Sequence, residues 1–571
     1  MAATGIAGWT ERLVIREVVV LGRPLIACLG MRSALVSAWL CAGCLGTGSL
    51  ELELTLPTDP DLKPTGMTTI TVLATSPEID PVANRATLNG SRFSAGDLPV
   101  ANKVQINVLL NDVSNRLVGL GEAPELVDIK GDRSSKLSIP VRKPFIYAAS
   151  GAALYTFDPT LDPRNMKFQG KLSGLTTPSV PVSVGGDELV VAGGSQLQII
   201  DTATHKVTGS PISIGGGTIN DVAPVPSAKK VAVAHSGGIA IVDLETGAVA
   251  NAAVGAVDRV TVGPAADGRM VVYGLIGRVA PPDTPLVACS GSSSVVAVFV
   301  DSPNVATPKP LASGVSAIAA APSQPAVFAA VPCAGQIARI DGDPTSETAP
   351  LMLTKMADLG NAAAIAVLGD RVYGAGTRAS VPQCASGTSM VACTTSSSTA
   401  CPETGGNHVA WVADGAHLVV QSVPIAGGAP VTLELPERRE TMVDTDDEAK
   451  SHAQVMHPLG TVPLDLVVLP GGQYVSVVTK NSYFIESLFD TLNNLYILPC
   501  IKTVSSDWVL VDLASSSIAQ RVRTSCMITA IRTGGNVYFP NWACDAPPEG
   551  ERNTQGGDYV PTAVGALFGA R

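Results

Sequence analysis

After Lys143 one local unit recurs: a strand of small apolar residues, a glycine-containing turn, and a second strand ending at or near aspartate. Ile146-Tyr147-Ala148-Ala149 leads through Ser150-Gly151 to Leu154–Asp158, and Leu189–Gly194 leads to Leu197–Asp201. Val231–Ala234 leads through Ser236-Gly237-Gly238 to Ile239–Asp243, and Leu286–Cys289 leads through Gly291 to Val295–Asp301. Weaker copies fall at Val327–Asp341, Val367–Gly376, His417–Val423, and Tyr474–Val478 with Trp508–Leu513. Units spaced at roughly 40 to 57 residues cannot bury their apolar faces alone and must stack, so each is expected to be one four-stranded blade of a repeat array. The expected architecture is an all-β propeller over residues 143–545, with seven blades the better count and eight possible.

Composition agrees with this. Aromatics are 4% of the 571 residues, whereas 56 glycines and 42 prolines suit many short strands joined by tight turns. Hydrophobic residues make up 46% and charged residues 15%, enough apolar surface for a sizeable core. The net charge of −11 and the lack of any Lys/Arg-rich run exclude an electrostatic nucleic-acid footprint.

Between residues 44 and 142 the pattern is different: alternating runs at Leu50–Leu54, Thr68–Ala74, Val104–Leu110, Arg116–Leu120 and Lys136–Val141, broken by Pro, Gly, Asn and Asp. Period-two alternation of this kind predicts a small antiparallel β-sandwich acting as a spacer. Pro57–Pro64 reads as a flexible lead-in or a long loop.

Ahead of it stand Arg32, the apolar run Ala34–Leu40, and Cys41-Ala42-Gly43-Cys44. This is the shape of an export signal. Small residues directly before Cys44 resemble the lipobox of bacterial lipoproteins, with Cys41 where that family usually carries leucine. The resemblance implies cleavage after residue 43, lipidation of Cys44, and a cell-envelope location on an outer membrane. Glu11, Arg12, Arg16 and Glu17 interrupt the segment before Met31, so translation starting at Met31 is an alternative. An uncleaved anchor over Val18–Leu45 is the competing reading; it too exports the remainder of the chain. Downstream of Cys44 remain Cys289, Cys333, Cys384, Cys393, Cys401, Cys500, Cys526 and Cys544, an even set that an oxidising compartment would pair in a connectivity the sequence does not fix.

Asp243-Leu244-Glu245-Thr246-Gly247 resembles the turn after the paired strands in YVTN-type propellers, a bacterial surface family related in fold to quinoprotein propellers. Asp201-Thr202-Ala203-Thr204 and Asp512-Leu513-Ala514 are shorter echoes. The resemblance implies architecture and no chemistry. Quinoprotein relatives stack their cofactor on aromatic residues; five Trp, none repeated by blade, give no such platform, and no cofactor is expected.

No nucleophile elbow, phosphate loop or catalytic set is found, so no catalytic residue is assigned. Asp444, Asp446, Asp447, His452 and His457, with Glu448, share one charged stretch that reads first as a solvated insertion and only weakly as a metal site. His235, ending an apolar strand, reads as a structural hydrogen-bonding residue. The expected function is therefore binding or scaffolding of a protein or glycan partner through propeller loops, with a lipid anchor in the membrane. A hydrolase or lyase working from the central channel is the alternative, and two or more carboxylates or histidines converging there would put it first. Ser380–Asn407 and Pro436–Gly460 break the blade rhythm and are the expected contact loops, while residues 546–571 read as a C-terminal tail.

Overall fold

The computed structural model describes residues 47–564 other than 77–78, 132–133, 151–152, 158–167, 173–177, 185–187, 203, 205, 227, 280–289, 304–306, 347–348, 379–382, 387–388, 393–416, 436–437, 445–452, 470–471, 486–488, 491–494, 497–499, 527–529, 534 and 539–562. The described residues contain strands and no helix. The segment expected to be an export signal, with Cys44, lies outside them.

Thr47–Thr55 shows how the first domain forms. Leu50, Leu52 and Leu54 are buried while Glu51, Glu53 and Thr55 are exposed, as a pleated strand with one wet face requires. They share one core with Ile70, Val72 and Ala74 of Thr69–Ser76 and with Val104, Ile106 and Val108 of Ala101–Asn111. Eight strands make a single sheet curled around that core; Thr47–Thr55 pairs parallel with Ser134–Arg142, and every other pair is antiparallel. Ile79–Thr87 and Arg92–Pro99, absent from the sequence expectation, are the two ends of the sheet path, and they touch each other. A strand paired on one side only tolerates Pro81 and a polar composition, and such a strand leaves little apolar alternation to read.

The remainder is a propeller of seven blades among the described residues: six are four-stranded sheets, and the seventh belongs to a seven-stranded sheet in which Arg438–Asp444, Gly535–Tyr538 and Ala530–Thr533 continue beyond Ala453–Val468. The innermost strands of blades two to seven are Pro178–Ser183, Ile219–Pro224, Arg259–Pro264, Ala317–Ala320, Ala364–Leu368 and Ala453–Val468. In the first blade Ile146–Ser150, Ala153–Phe157 and Phe168–Leu172 come from the start of the ring, and the innermost strand is Ala563–Val564 from its end. Ala563 pairs with Ala149 and Val564 with Ala148, within the stretch read from sequence as a tail. Each innermost strand contacts the next all the way round, including Ala563–Val564 with both Ala453–Val468 and Pro178–Ser183.

The repeated strand pairs are paired in space: Val231 faces Val242, Val327 faces Ile340, and Tyr474 faces Asp512. One differs. Ser294–Phe299 pairs with Met270–Ile276, not with Leu286–Cys289, which lies outside the described residues. Met270–Ile276 is itself an apolar run, and pairing through it supplies the central strand that the sequence reading had placed at Leu286–Cys289. The aspartate turns act locally as expected: Asp243 Oδ1 accepts from the amides of Glu245 (3.1 Å) and Thr246 (2.8 Å), and Gly247 takes φ of 72°. Asp201 accepts from the Thr204 amide and Asp512 from the Ala514 amide in the same way.

The Pro57–Pro64 loop is anchored. Leu62 is buried with Phe145, Tyr147 and Leu154 of the first blade and Leu189, Val191 and Ile200 of the second, and its carbonyl accepts from the Lys143 amide at 2.9 Å. Asn111 Nδ2 donates to Tyr474 Oη of the seventh blade at 3.0 Å, and Arg142 donates to Thr202 of the second at 2.7 Å. The small domain thus spans blades seven, one and two, where the ring closes. Leu62→Ala should lower stability by about 2–4 kcal/mol through lost burial and a residual cavity. A chain ending at residue 562 should unfold at lower temperature than the full chain. Thermal melts of both variants check this, and an unchanged melt for the shortened chain would show that Ala563–Val564 does not hold the ring shut.

Candidate functional site in the central channel

The innermost strands present mostly Ala, Val, Ile and Pro to the axis, and these short side chains leave a cavity of about 320 Å³. Val182, Val222, Ile318, Ile365 and Val467, from five different blades, supply apolar wall. Three charged residues interrupt it: Asp221, Arg259 and Asp465.

Backbone irregularities aim the two carboxylates. The pairing of Ile219–Pro224 with its neighbour shifts between Ile219 and Asp221, and that of Ala453–Val468 shifts between Pro463 and Asp465. Each aspartate directly follows its bulge, the device that re-aims a side chain within a strand. Asp221 is buried. Its Oδ1 takes the Arg259 guanidinium at 3.3 Å and its Oδ2 accepts from the Val260 amide at 3.0 Å. The ion pair joins the third blade to the fourth. Arg278, just beyond Met270–Ile276, continues the chain of contacts: its amide donates to Asp258 at 2.8 Å and its Nε to the Ser316 carbonyl, before the fifth blade, at 2.9 Å.

Burial lifts the Asp221 carboxyl above the ordinary carboxylate range, against the pull of Arg259 and the neighbouring amides. Burial also works against the Arg259 cation, but Asp221, Asp465 and Asp258 outweigh it and hold it above its usual range. Asp465 is half-buried and accepts one hydrogen bond, from the adjacent Leu466 amide at 2.9 Å. Desolvation pushes its carboxyl up to about 6, with Arg259 opposing and Asp221 adding to the rise. Among the described residues the arrangement offers one direct ion pair and, on Asp465, one carboxylate oxygen without a partner in a mostly apolar tube.

His235 lies elsewhere, at the end of Lys230–His235. Its Nδ1 accepts from the Gly237 amide at 3.1 Å, and burial lowers its proton affinity against the Asn251 side chain, so the imidazole is neutral at pH 7. A Cβ on Gly216 or Gly237 would come within 3.3 Å of the ring, which favours glycine at both positions. This bond to the turn backbone is of the structural kind expected for His235 from the sequence.

Among the described residues no three of His, Cys, Asp and Glu gather as metal ligands. Asp446, Asp447 and His452 lie outside the described residues. Asp444 pairs with Ala453 while His457 pairs with Glu440, so the register sets these two candidates four positions, about 13 Å, apart. Of the cysteines, Cys333 sits half-buried in the turn between Val327–Val331 and Gln336–Asp341, and Cys384 pairs with Val391 in a short hairpin. Cys500 starts its strand whereas Cys526 faces Ser505, five positions on, which is about 17 Å along the strand and beyond disulfide reach. Cys289, Cys393, Cys401 and Cys544 lie outside the described residues. The channel residues escaped sequence reading because each is a lone charge in an apolar strand; the only signal was an aspartate or arginine interrupting Ile-Asn-Asp-Val-Ala, Asp-Arg-Val-Thr-Val and Leu-Asp-Leu-Val-Val.

No protein-family model matches the chain, and no curated protein matches it. Solved structures similar to it include the β-propeller domain of Myceliophteria thermophila Cps50 (Swd1), at 11% identity over 61% of this chain and 88% of that one, with a TM-score of 0.34. U3-55K aligns at 9% identity over 48% of this chain and 88% of that one, with a TM-score of 0.30. A chain of the mitotic checkpoint complex aligns at 11% identity over 61% and 78%, with a TM-score of 0.33. The propeller assignment rests on the strand pairing itself.

Asp465 ionises about two pH units above a free aspartate, so folding is disfavoured by its charge. The carboxyl is neutral in folded and unfolded chains below about pH 4, the unfolded chain alone ionises between about 4 and 6, and the full penalty stands above about 6. Asp465→Asn should therefore stabilise the protein by roughly 1–3 kcal/mol at pH 8 and by nothing at pH 4, measured by denaturant unfolding at both. A gain that does not depend on pH would remove the charge explanation.

Proposed function

We propose that the chain is an exported, lipid-anchored propeller of the bacterial cell envelope that binds a protein or glycan through its loops. The observation carrying this reading is the root of the sixth-blade insertion. Arg371–Arg378 and His417–Pro424 are adjacent strands, and Arg378 pairs with His417, so residues 379–416 leave and return at one point on a rigid blade. Arg378 Nη1 reaches Glu434 at 2.7 Å and His417 Nδ1 lies 3.5 Å from the same carboxylate, pinning both ends to the outer strand. A second excursion, Arg438–Asp444 paired with the start of Ala453–Val468, stands beside the seventh blade. Its backbone pairs without apolar alternation, which is why its sequence read as unpatterned. Rigid scaffold with loops held at their bases is the arrangement that binding surfaces use.

Export is supported by the Arg32, Ala34–Leu40 and Cys44 pattern and by the even cysteine set. Likeness of the aspartate turns to YVTN-type blades supports the envelope assignment.

A hydrolase or lyase reading draws on one specific observation, the presence of both Asp221 and Asp465 in the channel. Two acids meet the condition that would favour catalysis. Yet Asp221 is held by Arg259 and the Val260 amide, which leaves a single available acid and no paired base or nucleophile among the described residues. Binding therefore stands first.

Palmitate labelling should mark the wild type and not Cys44→Ala, and shortening both excursions should abolish partner recovery from surface extracts while the melting temperature holds. Equal labelling would remove the lipid anchor. Undiminished recovery would move the binding surface to the channel or the small domain.

A further inference from the structure

We infer that the central channel is a binding site for a small organic monocation, a primary ammonium or guanidinium group on a short apolar chain, with Asp465 as its acceptor. The inference goes beyond the loop-binding reading and does not depend on it, since it concerns the axis of the ring.

Charge balance around the cavity leads to this ligand. Asp221 is matched by Arg259 in a direct ion pair. Asp258 is balanced in charge by the nearby Arg278, whose amide it accepts and whose Nε donates to the Ser316 carbonyl. Asp465 is left over. Its Oδ1 takes the Leu466 amide, and its Oδ2 has no hydrogen-bond partner among the described residues. When ionised, the group of five therefore carries one net negative charge, and of the two aspartates that line the cavity only Asp465 keeps a carboxylate oxygen without a partner among the described residues.

Other ligand classes fit less well. An anion would meet the ionised Asp465 in a site whose net charge is already negative. A divalent metal would have one open carboxylate and two nearby cations, Arg259 and Arg278, both close enough to influence Asp465. A monocation with N–H donors neutralises the site and satisfies Oδ2 together. Its body would lie against Val182, Ile318, Ile365 and Val467, which offer apolar contact and no polar demand. The volume of about 320 Å³ is at the small end of ligand sites, which run from about 300 to 1,000 Å³. Desolvation of Asp465 acts in the same direction, because a carboxylate that holds its proton up to about 6 gains most from an incoming cation.

The test is calorimetric titration of the full chain with n-butylammonium chloride, run beside 1-butanol and calcium chloride. The expected result is butylammonium binding near 1 mM at pH 7.5, with 1-butanol and calcium at least tenfold weaker. In the wild type alone, affinity should fall about tenfold between pH 7.5 and pH 5 as Asp465 takes up its proton. Asp465→Asn keeps an acceptor for the Leu466 amide and should weaken butylammonium at least tenfold with an unchanged circular dichroism spectrum. Ile365→Trp narrows the cavity without touching Asp465 and should also remove binding, which keeps the test decisive if the asparagine variant fails to fold. Absence of butylammonium binding up to about 50 mM, equal affinity for 1-butanol, binding insensitive to pH and to both substitutions, or calcium binding that depends on Asp465 would each overturn the assignment.

Discussion

Closure of the ring through two residues, Ala563 and Val564, is the constraint on which the rest of the structure depends. They supply the innermost strand of a blade whose other three strands lie more than 390 residues earlier in the chain, from Ile146 to Leu172. An open array would leave the edge of Ile146–Ser150 unpaired at one end and the flank of the seventh blade uncovered at the other. A two-residue strand makes few hydrogen bonds, and the small domain reinforces the same place. Leu62 fills the gap between blades one and two, Arg142 reaches Thr202, and Asn111 holds Tyr474 of blade seven. The spacer is thus also a clamp across the seam.

Between the other blades, single side-chain bonds to backbone repeat the clamp on a smaller scale. Asn251 donates to the Ile214 carbonyl, Asn220 to Val257, Ser316 to Ala362, and Thr377 to Thr461. Thr261 accepts from the Ala320 amide. Such bonds have fixed direction, so they set the angle between blades that apolar packing alone would leave loose. The Asp221–Arg259 pair belongs to this series by position and differs from it by charge. A buried ion pair is a poor source of net stability, because desolvation offsets most of the attraction. Its effect is on the channel: it matches one cation to one anion and leaves Asp465 as the lining carboxylate with an open oxygen.

Apolar alternation and turn chemistry were legible because they are local. Leu50, Leu52 and Leu54 point inward for reasons contained in five residues, and Asp243 with Gly247 specifies its turn within another five. Where local and global demands diverge, the sequence misleads. Leu286–Cys289 resembles a blade strand as well as Met270–Ile276 does, and only pairing with Ser294–Phe299 distinguishes them. Ile79–Thr87 is a strand because a sheet edge accepts it, despite Pro81.

The sequence by itself determined the class of fold, the blade unit, its aspartate turns and the structural part played by His235, since strand propensity and hydrogen bonding within a hairpin need no distant partner. Tertiary structure decided the number of blades, the strand that closes them, and the company kept by Asp221, Arg259 and Asp465. Those three lie on three different blades, separated by as many as 244 positions in the chain and brought round one axis by closure. Each is aimed or paired through details of register and bulge that leave no mark on composition or periodicity. A charge in an apolar strand reads the same whether it ends in solvent, in an ion pair or at an open acceptor, because the difference is made by neighbours that only the closed ring supplies.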